Sequence, residues 1–192
     1  NPDGMRLCTE GDRWIRDGKT RRYLRRLAGR NYATWKANGR GVDLNSNYDA
    51  DWDLIEKSTE PAPADYKGES PVSEPENVAL VQLIQTNRYD ALLTYHTRGE
   101  IIYWYYKQEG DILARDRAFA QTIADECGYT LVMPDASLSS KGGLKDWFVL
   151  SQQKPALTIE MGASSLPYTY DEEEYLTIWR QMRYVPYAAL EA

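Results

Sequence analysis

The sequence predicts an α/β protein, a mixed and largely parallel sheet flanked by helices. Three observations carry that expectation. Short apolar runs of strand length alternate with longer stretches of helical periodicity, the helical stretches open on capping residues, and the apolar runs are nearly continuous, as in strands covered on both faces.

Residues 1 to about 41 are rich in Arg, Gly and Asn without sustained periodicity, and read as loops and short elements. The stretch 57–75, KSTEPAPADYKGESPVSEP, holds four prolines among Ser, Glu and Gly and reads as a loop. Too little core-forming sequence precedes it for a separate domain, so residues 1–192 read as one domain. Ser73 as N-cap, Pro75 in the first turn and Glu76 three residues after the serine predict a capping box and a helix over about 74–88. ALLTY, 91–95, has the length of a buried strand with His96 at its end, and EIIYWYY, 100–106, reads as a second strand. Phe119, Ile123 and Cys127 recur every four residues with Gly128 behind them, which predicts a helix over 114–127 closed by a glycine. TLVM, 130–133, and PALTIEM, 155–161, are suited to central strands, with a helix LKDWFVLSQ between them. Finally Asp171 caps DEEEYLTIWRQM, with Glu174 three residues on and acidic residues at the positive end of the helix dipole.

Composition bounds the function. With 42% hydrophobic and 27% charged residues, the chain can bury a sizeable core. A net charge of −6 weighs against a general nucleic-acid or acidic-membrane binder, although Arg21, Arg22, Arg25, Arg26 and Arg30 form a local basic cluster. Two cysteines, Cys8 and Cys127, are too few and too far apart for a disulfide scaffold or a local metal motif. No run approaches a membrane span and the first 20 residues lack a signal-peptide layout. Asn1-Pro2-Asp3-Gly4 reads like the middle of a protein, so an upstream targeting segment stays open.

Ligands of open α/β sheets gather beyond the carboxyl ends of strands, and two polar residues sit there: His96 after ALLTY, and Glu160 within ALTIEMG. A glutamate in such a run is costly to bury without a partner or a task, and a solvent-facing or arginine-paired role stands beside a functional one. His96 is the only histidine, whereas catalytic zinc takes three protein ligands, so spacing alone leaves it an ordinary satisfied side chain.

A wider pattern changes that balance. NPDG at 1–4, TWKANGRGVDLNSNY at 34–48, YKGESPVSEPE at 66–76, TYHTRGEIIYW at 94–104, GGLKDWF at 142–148 and ALTIEMG at 156–162 occur in the order seen in zinc carboxypeptidases, and the chain resembles that family over almost its whole length. WKAN-x-RGVDLN and H-x-x-GE-IIYW resemble the bacterial branch that cuts the γ-D-glutamyl–diaminopimelate bond of cell-wall peptides. The resemblance implies that His96 is one zinc ligand, that two more belong to an H-x-x-E motif upstream of NPDG, and that the chain is the C-terminal portion of the catalytic domain, its missing N-terminal part being a partner of the site. Glu160 matches the general base that takes a proton from metal-activated water and returns it to the leaving amine. Lys36, where the family often has arginine, is the candidate to stabilise the oxyanion, with Arg40 as substitute.

Asn45 matches a substrate-binding position, and Ser46 stands where digestive carboxypeptidases carry an arginine that forks onto the terminal carboxylate. Serine cannot neutralise a carboxylate, which disfavours ordinary C-terminal trimming and fits a specialised wall-peptide substrate. Arg98 and Lys145 are candidates to meet the carboxylates of that substrate, although a surface ion pair is the more frequent fate of such residues. ASLSSKGG, 136–143, holds no tyrosine to fold over a substrate as the family's does. Two other readings stay open: a non-catalytic peptide-binding module without a complete zinc site, and a conventional carboxypeptidase. The expected location is bacterial, either the cell envelope or a cytoplasmic recycling step.

Overall fold

The computed structural model describes residues 1–56, 58–133, 141–166 and 170–192. Contacts divide the chain into two compact units: Asn1–Arg88 with Ser140–Trp147, and Tyr89–Ser139 with Phe148–Ala192.

The first unit opens with two helices, α1 (Pro2–Glu10) and α2 (Gly18–Ala28), where the sequence predicts loops and short elements. Their caps are short-range and polar. The Asn1 side chain accepts from the Gly4 amide, and Asp17 accepts from the Thr20 amide, so each satisfies one orphan donor of a first turn. Leu7 and Leu24 turn inward against Ile15, Tyr32, Trp35 and Ala37 to form a core local to this unit. Apolar residues alone do not signal these helices, because each buries a single leucine and is otherwise largely polar. Within this core Asp12 is buried, bridged by Arg25 through Nε and, at 3.0 Å, through Nη2, and it accepts from the Tyr32 hydroxyl at 3.0 Å. The Arg25 guanidinium holds the Asp12 carboxyl below its usual value. Burial, reinforced by the bond to Asp12, pushes the Tyr32 hydroxyl up to about 12.

Helix α3 (Pro75–Thr86) begins one residue later than the capping-box reading places it. Its N-cap is Glu74, which makes no capping bond. The Ser73 hydroxyl instead donates to the Glu74 carboxylate at 2.9 Å, so the expected box with Glu76 does not form. Residues 58–74 carry no regular element beyond a single bridge between Ser58 and Tyr66.

The second unit holds the sheet: β1 (Leu92–His96), β2 (Ile101–Tyr103), β3 (Thr130–Leu131) and β4 (Ala156–Glu160), in the order β1-β4-β2-β3. β1 runs parallel to β4, β2 parallel to β3, and β2 antiparallel to β4, a mixed sheet as expected. β4 is interior, whereas β3 is an edge of two residues and not the central strand that TLVM suggested. Helix α4 (Gly110–Cys127) ends on Gly128 in the left-handed conformation, at φ 77°, which a side chain would strain. It lays Phe119, Ala120, Ile123, Ala124 and Cys127 against Ile102, Leu157 and Ile159. α5 (Leu144–Gln152) follows the Gly142–Gly143 pair. α6 (Glu172–Met182) carries the Asp171–Glu174 capping box in full, and α7 (Val185–Glu191), a further short helix, closes the core through Val185.

Two outcomes check this account. Ile159 is completely buried in the sheet core, and Ile159→Ala should cost about 2–5 kcal/mol in urea unfolding, by lost transfer energy and the cavity left behind. Because the native Asp12 pKa is depressed, its contribution to stability is present above the unfolded carboxyl value of 3.8 and is lost as pH falls through the native value. Acid unfolding curves of the chain and of Asp12→Asn should therefore differ at neutral pH and converge as Asp12 protonates.

Candidate active site

The site is built from the backbone ladder of β1 and β4. The strands pair in register Leu92 with Ala156, Leu93 with Leu157, Thr94 with Thr158, Tyr95 with Ile159 and His96 with Glu160. Side chains alternate along a strand, so paired residues of parallel neighbours share a face and each face reads every second position. Leu157 and Ile159 belong to the buried core, which leaves Thr94, Thr158, His96 and Glu160 on the other face. The Thr94 and Thr158 hydroxyls meet at 2.9 Å, and Thr94 Oγ1 also donates to the Leu157 carbonyl at 3.0 Å. One step further toward the carboxyl ends stand His96 and Glu160.

The ladder continues past both strands and pins their ends. The Met161 amide donates to the His96 carbonyl and the Glu100 amide to the Glu160 carbonyl, both at 2.8 Å. The antiparallel register on the other side pairs Ile101 with Glu160 and Tyr103 with Thr158, so Tyr103 joins the polar face. Arg98 lies half-buried in the turn that leaves β1. His96 and Glu160 are partly exposed, as a side chain must be to meet a ligand.

Lys36, Arg40, Asn45, Ser46 and Lys145 all belong to the first unit. Lys36 is exposed beside the buried Trp35, and the peptide amides of Lys36 and Ala37 both donate to the Pro63 carbonyl at 2.9 Å. Arg40 is exposed, 3.7 Å from the buried Glu74 carboxylate, and lines a cavity of about 570 Å³ with Lys19, Tyr23, Tyr66 and Glu69. Asn45, Ser46 and Lys145 gather at the start of α5. Asn45 Oδ1 accepts from the Leu144 amide at 3.2 Å, and the buried Ser46 presents its carbonyl to Gly142, where a Cβ would come within 2.8 Å of that oxygen. Gly142 also sits at φ 78°, so this close approach admits only glycine. Lys145 is 5% exposed and ion-paired with Asp146, itself 0% exposed. Burial raises the Asp146 pKa against the opposing pull of Lys145.

Three residues outside the sequence reading organise these loops. Asn47 is fully buried, donates to the carbonyls of Lys67 and Ser70 and accepts from the Glu74 amide and the Asn77 side chain. Asn38 donates to Glu74 at 2.7 Å and accepts from the amides of Arg40 and Val42. Glu74 receives Asn38, Ser73 and Arg40. A run of asparagines between glycines is the signal for such a buried hub, since a buried amide side chain can serve donors and acceptors together. The segment before Lys141, where a lid tyrosine was sought, lies outside the described residues.

Among the described residues no group of three or more His, Cys, Asp and Glu is arranged to hold a metal ion. A catalytic zinc takes three protein ligands, so these residues offer one imidazole donor and do not complete the site. No helix among them is long and apolar enough to cross a membrane.

Comparison with known proteins shows the family and the fold. The zinc carboxypeptidase family profile matches residues 1–184. A gamma-D-glutamyl-L-diamino acid endopeptidase 1 of Lysinibacillus sphaericus is 32% identical over 178 residues, covering 90% of this chain and 43% of that protein. The protein YqgT of Bacillus subtilis (strain 168) is 32% identical over 192 residues, covering 95% of this chain and 50% of its own length. The carboxypeptidase A of Helicoverpa armigera superposes with a TM-score of 0.66 at 22% identity, over 100% of this chain and 50% of that one, a likeness of fold. The chain thus spans about half the length of the curated relatives it matches.

The buried ion pair at α5 yields a test. Lys145→Met leaves the Asp146 carboxylate unpaired in the interior and should destabilise the protein by about 3–5 kcal/mol at neutral pH. A carboxyl raised by burial costs least when protonated, so the loss should shrink on going from pH 7.5 to pH 4.5 in chemical unfolding.

Proposed function

This chain belongs to the zinc carboxypeptidase family, and on that premise we propose that it forms part of a zinc-dependent peptidase hydrolysing γ-D-glutamyl–diamino acid amide bonds of bacterial cell-wall peptides. The observation that carries the reading is the parallel pairing of His96 with Glu160 at the carboxyl ends of adjacent strands, on the face turned away from the core. The 32% identity to a gamma-D-glutamyl-L-diamino acid endopeptidase supports the choice of substrate.

His96 would supply one donor to the metal, and the remaining donors would come from residues beyond these 192. A zinc ion so held supplies a Lewis acid that lowers the pKa of a bound water. Glu160 accepts the proton from the attacking water as its oxygen bonds to the amide carbonyl carbon, and passes that proton to the amine nitrogen as the tetrahedral centre collapses and the C–N bond breaks. Thr94 and Thr158 hold the two strand ends in register behind this pair. Lys36, with Arg40 as substitute, offers positive charge to the developing oxyanion, and Asn45 offers an amide to the substrate. Arg98 would meet a substrate carboxylate.

Ser46 and Lys145 join that group less directly, being buried and already engaged at the start of α5. The serine at position 46, where a digestive enzyme would place a guanidinium, favours the wall-peptide reading over conventional C-terminal trimming. A second reading has its own observation. The described residues supply one imidazole donor and no group of three metal-ligating side chains, which favours, as the alternative for the 192-residue chain by itself, a non-catalytic peptide-binding module.

In the full-length protein, Glu160→Gln should lower kcat on a γ-D-glutamyl–diaminopimelate tripeptide by roughly a hundredfold to ten-thousandfold, with zinc content unchanged. Turnover near that of the parent would refute Glu160 as the base. Zinc analysis and the same assay on the 192-residue chain separate the two readings. Turnover with one tightly bound zinc would remove the module.

A further inference from the structure

The net charge of −6 conceals a polar division of the sequence. Residues 1–40 hold eleven Lys and Arg against four Asp and Glu, a net of +7, so residues 41–192 carry −13. In the structure three of the four acids of the basic segment are spent internally, and the fourth, Asp3, is half-buried beside Gly39. Glu10 pairs with Arg6, Asp12 is buried against Arg25, and Asp17 gives its carboxylate to the amide and hydroxyl of Thr20. What remains outward is cationic. Arg13, Arg16, Lys19, Arg22, Arg26, Arg30 and Lys36 are all exposed, and no ion pair among the described residues engages Lys19, Arg22 or Arg26.

These last three define a line. They occupy positions i, i+3 and i+7 of α2, within one narrow stripe of the helix, about 4.5 and 6 Å apart along its axis. Leu24, which faces the core, lies elsewhere on the helix, so the stripe takes no part in the apolar core, and its one aromatic contact is Arg26 over the Tyr23 ring at 5.9 Å. Guanidinium groups repeated at such spacing match a chain of repeated phosphates, because the planar fork takes two phosphate oxygens at once. The Lys19 end of the stripe meets the cavity that also holds Arg40.

We propose that the exposed Lys19–Arg22–Arg26 stripe of α2 is a docking surface for a linear polyol-phosphate polymer of the cell wall, which would hold the protein beside its peptide substrate. The choice of a wall polymer rests on the substrate reading above, but the binding itself is independent of turnover, so either can fail alone. Binding is local electrostatics against an unfavourable net charge, and it is strongly sensitive to salt.

The test titrates the 192-residue chain with poly(glycerol phosphate) by calorimetry at pH 7, in 20 mM and 300 mM salt. Binding is expected at low salt and should weaken by at least about tenfold at the higher concentration, as the entropy gained by releasing counterions shrinks. The triple variant Lys19→Gln, Arg22→Gln, Arg26→Gln keeps good helix formers, and its circular dichroism should match that of the parent. Its affinity should fall at least tenfold. A control removing the same charge elsewhere, Arg88→Gln, Arg117→Gln, Arg180→Gln, should bind within about twofold of the parent. Absence of binding by the parent, equal binding by the α2 variant, or an equal loss in the control would overturn the proposal. Tighter binding to duplex DNA than to the polyol phosphate would overturn the assigned occupant.

Discussion

One register governs the candidate site. Because β1 and β4 run parallel with His96 opposite Glu160, the imidazole and the carboxylate emerge side by side on one face. A slip of one residue would turn the whole strand over, placing Leu157 and Ile159 in the polar layer and the glutamate in the core. The burial of those two apolar side chains therefore enforces the chemistry on the opposite face. The Thr94–Thr158 contact and the bonds that continue past the strand ends hold the same alignment from the polar side. Nothing in this device depends on the identity of the substrate or on the loops of the first unit.

Those loops in the first unit are held by buried polar groups more than by apolar packing. Asn38, Asn47 and Glu74 join the segment containing Arg40 to the segment preceding α3. Buried polar networks are stabilising only when each member is satisfied, so they specify one arrangement sharply. The Lys145–Asp146 pair at the start of α5 has the same character. Its desolvation is costly, and the mutual attraction of the two charges offsets that cost only in one geometry.

Much of the second unit was legible in the sequence. The strand ending in His96, the strand containing Glu160, the helix closed by Gly128 and the capping box at Asp171 each rest on a local signal that the packing agrees with. What failed were signals that tertiary contacts redirect. Ser73 has the right neighbours for a capping box, yet its hydroxyl goes to Glu74, which Asn38 and Arg40 already hold in place. α1 and α2 were hidden because each buries a single leucine, too few for a pattern of apolar residues to mark the helix, and their caps, Asn1 and Asp17, are single residues. The register between β1 and β4, which joins residues 64 positions apart, is a long-range fact that no local pattern encodes.

The central claim is that His96 is a donor to the metal while Glu160 serves the water beside it. A zinc-binding isotherm on the full-length protein tests it most directly. His96→Ala should weaken zinc binding by more than about a hundredfold, since one of three donors is lost, while Glu160→Gln leaves the affinity within a few fold. Unchanged affinity in His96→Ala, or a comparable loss in Glu160→Gln, would contradict this division of roles.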